Sequence, residues 1–158
     1  MGNYTNNKFG NFICINEFNQ RIEMMNIKMK KKDFEEIKKE CEKNKDKESC
    51  GILAGRNNIV EKIYIMNNVS DKPEICYFMD TKEQIKVMKE IREKELDLIG
   101  IFHSHINVKA YPSKRDIELA FYPEAVYIII EIEEGKFQEM NGYEIKNDEI
   151  KEVNIEII

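Results

Sequence analysis

The sequence predicts an α/β fold with a mixed β-sheet, and three observations carry that expectation. Stretches of helical periodicity alternate along the chain with apolar, strand-like stretches. Two tight turns, at Arg56-Asn57-Asn58 and Glu134-Gly135, join neighbouring strands as hairpins, whereas the strand Asp97 to Ser104 reaches the strand Ala125 to Ile132 only through a short helix. Hairpins and a crossover together require a mixed sheet. The 158 residues suffice for one domain with a sizeable core and are too few for a (β/α)₈ barrel.

Residues 1–24 read as an N-terminal extension without an assigned role: the first ten are polar and glycine-containing, and Asn11 to Asn16 is a possible strand. Arg21 to Met29 is a second possible strand. Phe34, Ile37 and Cys41 recur at helical spacing among Lys and Glu, which predicts an amphipathic helix from Asp33 to about Asn44 with one buried stripe. After the loop KNKDKE, Gly51 to Gly55 is a short apolar strand paired through its turn with Ile59 to Met66. Asp80, with Glu83 three residues on, starts a helix that ends near Glu95 and whose apolar face is assigned to Ile85, Val87, Met88 and Ile91. Asp97 to Ser104 is a strand, and Ser113 opens a short helix carrying Ile117, Ala120 and Phe121 that Pro123 stops. Ala125 to Ile132 is apolar almost throughout, as a central strand covered on both faces must be. Phe137 to Ile145 and Glu149 to Ile158 complete the sheet.

Composition removes several function classes. The net charge is −5, which disfavours nucleic acid as a partner, and the cluster Lys28, Lys30, Lys31, Lys32 reads as a solvated strand-to-helix junction. The longest apolar run, Ala125 to Ile130, falls far short of the ~20 residues of a membrane span, and Met1 to Lys8 lacks a signal-peptide layout. The expectation is a cytoplasmic protein that engages no membrane. Cys14, Cys41, Cys50 and Cys76 show no Cys-x-x-Cys spacing and are expected as reduced, mostly packed thiols. With only two histidines in the chain, a three-histidine zinc site is excluded.

Both histidines lie two residues apart at one strand end. Side chains alternate across a strand, so Ile99, Ile101, His103 and His105 are expected on one face, and the two imidazoles, roughly 7 Å apart at Cα, can lean toward a single ion. Asp116, on the helix that follows immediately, is the natural third ligand. Two His and one carboxylate with an open position is the donor set of a catalytic zinc, and it can also hold Fe(II). Each half has a plainer reading: His-x-His as polar residues at a sheet end, and Ser113-x-x-Asp116 as a helix cap.

Taken together, His103-Ser104-His105, seven residues, Ser113, two residues, Asp116 resembles the JAMM signature His-x-His-x₇-Ser-x₂-Asp of the MPN+ metalloproteases. Upstream, Glu48-Ser49-Cys50-Gly51-Ile52-Leu53-Ala54-Gly55 is similar to the family's Glu-x-Cys-Gly-Leu-Leu-x-Gly segment. The resemblance spans roughly Ile27 to Tyr143, with Ile106 standing where many members have proline. It implies a single MPN domain over 25–158, a mixed curved β-sheet flanked by helices with cytidine-deaminase-like layering, in a minimal prokaryotic form.

The same resemblance implies residue roles and a substrate class. His103, His105 and Asp116 would ligate one Zn²⁺ per chain, Glu48 would act as general base and then proton donor, and Ser113 would donate a hydrogen bond to the oxyanion. The implied activity is a zinc metallopeptidase, cleaving peptide or isopeptide bonds after the C-terminal Gly-Gly of a ubiquitin-like or sulfur-carrier protein. Two alternatives stand beside it: hydrolysis of a sulfur-carrier protein bearing a C-terminal cysteine in cysteine biosynthesis, and a non-catalytic protein-binding scaffold.

Overall fold

The computed structural model describes residues 25–158. The possible strand at Asn11 to Asn16, Cys14, and the portion of the Arg21 to Met29 strand before Met25 lie outside the described residues. The elements run β1 (Asn26–Met29), α1 (Lys31–Lys43), β2 (Cys50–Arg56), β3 (Ile59–Met66), α2 (Thr81–Glu93), β4 (Asp97–Ile106), α3 (Lys114–Glu118), β5 (Val126–Glu133), β6 (Lys136–Lys146) and β7 (Glu149–Ile157). The strands form one mixed sheet in the order β1-β3-β2-β4-β5-β6-β7, which closes on itself because β1 pairs in parallel with both β3 and β7. Three hairpins turn on pairs of residues with positive φ, Asn57-Asn58, Glu134-Gly135 and Asn147-Asp148, the turn geometry whose twist matches that of the flanking strands. As its apolarity requires, β5 is interior: it runs parallel to β4 and antiparallel to β6, with every residue from Val126 to Ile132 buried.

Each face of the sheet carries its own core. One core gathers Ile27, Met29, Leu53, Val60, Phe102, Ile128, Ile130 and Val153 together with Ile37 and Cys41 of α1. The other gathers Cys50, Ile52, Ile101, Tyr127 and Ile129 beneath Val87 and Ile91 of α2. The two histidines project on this second face. Ile99 does not join them there, contrary to strict alternation: the β2–β4 register shifts between Leu53 and Ala54, so that Leu53 pairs with Gly100 and Ala54 with Leu98, and the bulge turns Ile99 into the first core. On α2, Ile85 is 66% exposed. At about 100° per residue it lies roughly opposite the Val87 and Ile91 stripe. The helix after Ser113 is also shorter than its apolar residues suggest, ending at Glu118, and leaves Phe121 73% exposed. Lys28, Lys30, Lys31 and Lys32 occupy the β1–α1 junction with exposed side chains, as expected. Cys41, Cys50 and Cys76 are free and buried. Among the described residues no helix is long and apolar enough to cross a membrane.

Candidate metal centre

His103 and His105 sit near the C-terminal end of β4, which extends to Ile106, two residues beyond the expected end of the strand. Period-two geometry sends both rings to one face. The third group arrives by a local device. Ser113 is the N-cap of α3, its Oγ accepting the Asp116 N–H at 3.1 Å, while Asp116 Oδ2 accepts the Ser113 N–H at 2.7 Å. This capping box fixes the carboxylate of Asp116 against the strand, so the cap and the candidate ligand are one structure rather than rival readings.

The three side chains converge. His103 Nε2 is 3.1 Å from Asp116 Oδ1, His105 Nε2 is 3.2 Å from Asp116 Oδ2, and the two Nε2 atoms are 3.0 Å apart. Among the described residues this is the group able to hold a metal ion. Zn–N bonds of about 2.0–2.1 Å in tetrahedral geometry place two ligand nitrogens about 3.3 Å apart, close to the 3.0 Å between the two Nε2 atoms, and each of these has one oxygen of Asp116 within 3.2 Å. The donor chemistry fits as well. His105 Nδ1 donates to the Lys109 carbonyl at 2.8 Å, so in the neutral ring the lone pair lies on Nε2, on the side of Asp116. His103 is held by packing instead: it is fully buried, stacks on Tyr77 with ring centroids 4.5 Å apart, and its Nδ1 has no partner among the described residues.

Electrostatics separates the three side chains. Burial dominates His103 and pulls it below the ordinary imidazole range, favouring the neutral ring that a metal needs. In His105 burial pulls the same way, but Asp116, the Lys109 carbonyl and Glu48 outweigh it and raise the ring. Asp116 is pushed up by burial yet held far below the usual carboxylate range by the hydrogen bonds from His103, His105 and the Ser113 N–H.

Glu48 lies in the segment just before β2, and its carboxyl is raised to about 8, chiefly by burial, with Asp116 adding to the rise and His105 and Arg115 opposing it. Its backbone is tied on both sides: the N–H donates to Pro73 O at 2.7 Å, and the carbonyl accepts from Asn68 Nδ2 at 2.9 Å. No hydrogen bond engages its carboxylate among the described residues. Ser104, between the two histidines, points to the opposite face of β4, where its Oγ accepts the Ser49 N–H at 2.8 Å and its N–H donates to Ser49 O at 2.9 Å. Ser104 therefore anchors Ser49, the residue next to Glu48.

Of the residues that the sequence singles out, the structure brings His103, His105, Asp116 and Ser113 together, and the charges of His105 and Asp116 act on Glu48. Sequence reasoning passes over Ser104, Tyr77, Asn68 and the Lys109 carbonyl. The alternation of β4 was a usable signal for Ser104; none existed for Tyr77 or Asn68, which reach the site by tertiary contact. Beside Tyr77 an apolar cleft opens, lined by Phe78, Met79, Leu119, Phe121 and Tyr122.

The family model for prokaryotic homologues of the JAB domain matches residues 30–145. The chain is 30% identical over 113 residues to the CysO-cysteine peptidase of Mycobacterium tuberculosis, covering 70% of this chain and 77% of that protein. It is 30% identical over 112 residues to the desampylase of Haloferax volcanii, covering 70% and 78% respectively. Among solved structures, a Desulfitobacterium hafniense protein matches with a TM-score of 0.73 and 34% identity, over 84% of this chain and 92% of that one. A JAB1/MPN domain protein from Archaeoglobus fulgidus shares the fold, with a TM-score of 0.56 and 16% identity over 82% of this chain and 97% of that one.

Proposed function

The chain belongs to the prokaryotic JAB/MPN domain family, and from that membership we propose that it is a zinc-dependent peptidase or isopeptidase acting after the C-terminal Gly-Gly of a ubiquitin-like or sulfur-carrier protein. The observation that carries the reading is the convergence of His103, His105 and Asp116 at separations of 3.0–3.2 Å, with a buried, unpaired Glu48 carboxylate coupled to them. His103, His105 and Asp116 would hold the zinc. When bound there, the ion supplies Lewis acidity that lowers the pKa of water from 15.7 to about 7.

The chain's own residues do the rest. Glu48 takes a proton from the attacking water as its oxygen bonds to the scissile carbonyl carbon, and returns that proton to the nitrogen of the leaving amine as the C–N bond breaks. A positioned carboxylate of this kind contributes roughly 10²- to 10⁴-fold. Ser113 Oγ accepts the Asp116 N–H and keeps its own O–H free to donate to the oxyanion, a contact of about 10²- to 10³-fold. Relatives support the substrate class: one is named a CysO-cysteine peptidase and another a desampylase. The first name also supports a second reading, removal of a single cysteine from a sulfur-carrier protein. Mass spectrometry of the cleaved carrier separates loss of one amino acid from release of a protein. For the mechanism, metal analysis is expected to find about one zinc per chain, with Glu48→Gln retaining the metal while losing at least about 10²-fold in turnover. Full activity in Glu48→Gln overturns the assignment.

A further inference from the structure

Glu131 is the one acid among the buried residues of β5, in a stretch otherwise made of Val, Tyr and Ile, and it is 2% exposed. In the parallel β4–β5 register it stands beside His105. One of its carboxylate oxygens accepts from Lys109 Nζ at 2.9 Å, and the other from the Ala110 N–H at 3.3 Å. The Ala110 N–H and the Lys109 carbonyl belong to the same peptide unit. In a trans peptide they point in opposite directions. Glu131 therefore grips one edge of that plane while the Nδ1–H of His105 grips the other, at 2.8 Å. Rotating the plane breaks both bonds at once and leaves a buried carboxylate short of a donor. The Tyr111 N–H also donates to the Lys109 carbonyl, at 2.7 Å, so the loop's own turn shares the His105 edge of the plane, whereas on the other edge the Ala110 N–H donates to Glu131. Bonds from Tyr143 Oη and Asn141 Nδ2 to the Ala110 carbonyl, at 2.6 and 3.2 Å, and from the Asn107 N–H to Ile132 O at 2.8 Å hold the neighbouring peptide and the loop's start.

We propose that Glu131 is a positioning residue for His105: through the Lys109–Ala110 peptide it locks the imidazole in the Nδ1–H tautomer that presents the Nε2 lone pair to the metal centre. Metal-ligating histidines usually donate to a carboxylate or a carbonyl directly. Here the carboxylate acts one peptide further out, and its charge polarises the intervening amide so that its carbonyl is a stronger acceptor. The proposal rests on the reading of His105 as a ligand, but its primary test does not use metal. The chain has two histidines, so imidazole ¹⁵N spectra of the metal-free protein at alkaline pH contain two rings to assign. Wild type is expected to show His105 as the Nδ1–H tautomer. Glu131→Ala is expected to shift it toward a mixture and to weaken zinc binding, measured by chelator competition, by about 10- to 100-fold. Glu131→Gln keeps the volume and one acceptor for the Ala110 N–H, so it shifts the tautomer less and decides the question if the alanine variant does not fold. Val153→Ala, a core truncation in β7, controls for lost stability and is expected to leave both readouts at wild-type values. A His105 ring that remains Nδ1–H in every folded Glu131 variant overturns the proposal, whatever happens to zinc affinity. A wild-type protein that binds no zinc sinks the metallopeptidase reading instead, and the tautomer still decides the role of Glu131.

Discussion

Replacing Glu48 by glutamine probes the base through stability rather than turnover. Burial raises the carboxyl from 4.5 to about 8, so the folded protein holds a proton that the unfolded chain releases between those values. The direction follows from linkage. Where the native state binds more protons than the unfolded state, stability falls as pH rises, so this contribution is complete below 4.5 and lost as pH climbs through about 8. At about 1.36 kcal/mol per pH unit, the cost of carrying the buried charge at alkaline pH is at most about 5 kcal/mol. Glutamine has nearly the same shape and no charge to bury. The stability of Glu48→Gln relative to wild type should therefore grow with pH across this window, by several kcal/mol, while hydrolysis is lost. Urea denaturation of both proteins, stripped of metal, at a series of pH values measures the difference directly, and taking that difference cancels the titration of Asp116 and the histidines to first order. Curves that stay parallel across the window refute the account of Glu48 as a carboxylate whose affinity for protons is set by burial.

Ser113→Ala removes the N-cap acceptor and is expected to cost about 1 kcal/mol of stability in thermal denaturation. Zinc affinity should fall only modestly, because the Ser113 backbone N–H still holds Asp116, whereas turnover should drop about 10²-fold; unchanged turnover removes Ser113 from the oxyanion role. Gly51→Ala places a Cβ 2.3 Å from the Phe102 ring and 2.4 Å from the Tyr64 carbonyl, so a loss of about 3 kcal/mol is expected in urea unfolding, and a neutral result means that β2 can shift freely. Zinc at about 100 times its Kd should raise the stability of wild type and of Glu48→Gln by about 2.7 kcal/mol and that of His103→Ala far less, read as Tm shifts; equal shifts in all three place the ion elsewhere.

The candidate metal-binding set was legible in the residues because its geometry is local. A two-residue spacing on a strand settles that His103 and His105 share a face, and a three-residue spacing after an N-cap settles that Asp116 folds back onto Ser113. The interior position of β5 and the hairpin turns were legible for the same reason, since period and turn chemistry act over a few residues. Where the sequence misleads, a contact distant in the chain intervenes. A bulge against β2 moves Ile99 to the opposite core, and only the helix's packing against the sheet decides that Val87 and Ile91, not Ile85, face inward.

Glu48 marks the boundary between the two kinds of information. As a residue in the loop KNKDKE it is one acid among several charges, and only the resemblance of the segment to a family motif singles it out. What raises its carboxyl to about 8 is exclusion from water, and that depends on Pro73, Asn68 and Ser104 holding the segment against β4 from distant points in the chain. Glu131 shows the same division. The sequence by itself determined the donor atoms, because these follow from residue type and local period. The tertiary structure alone decided their protonation, tautomer and orientation, because desolvation and hydrogen bonding are set by whichever groups the closed sheet brings alongside.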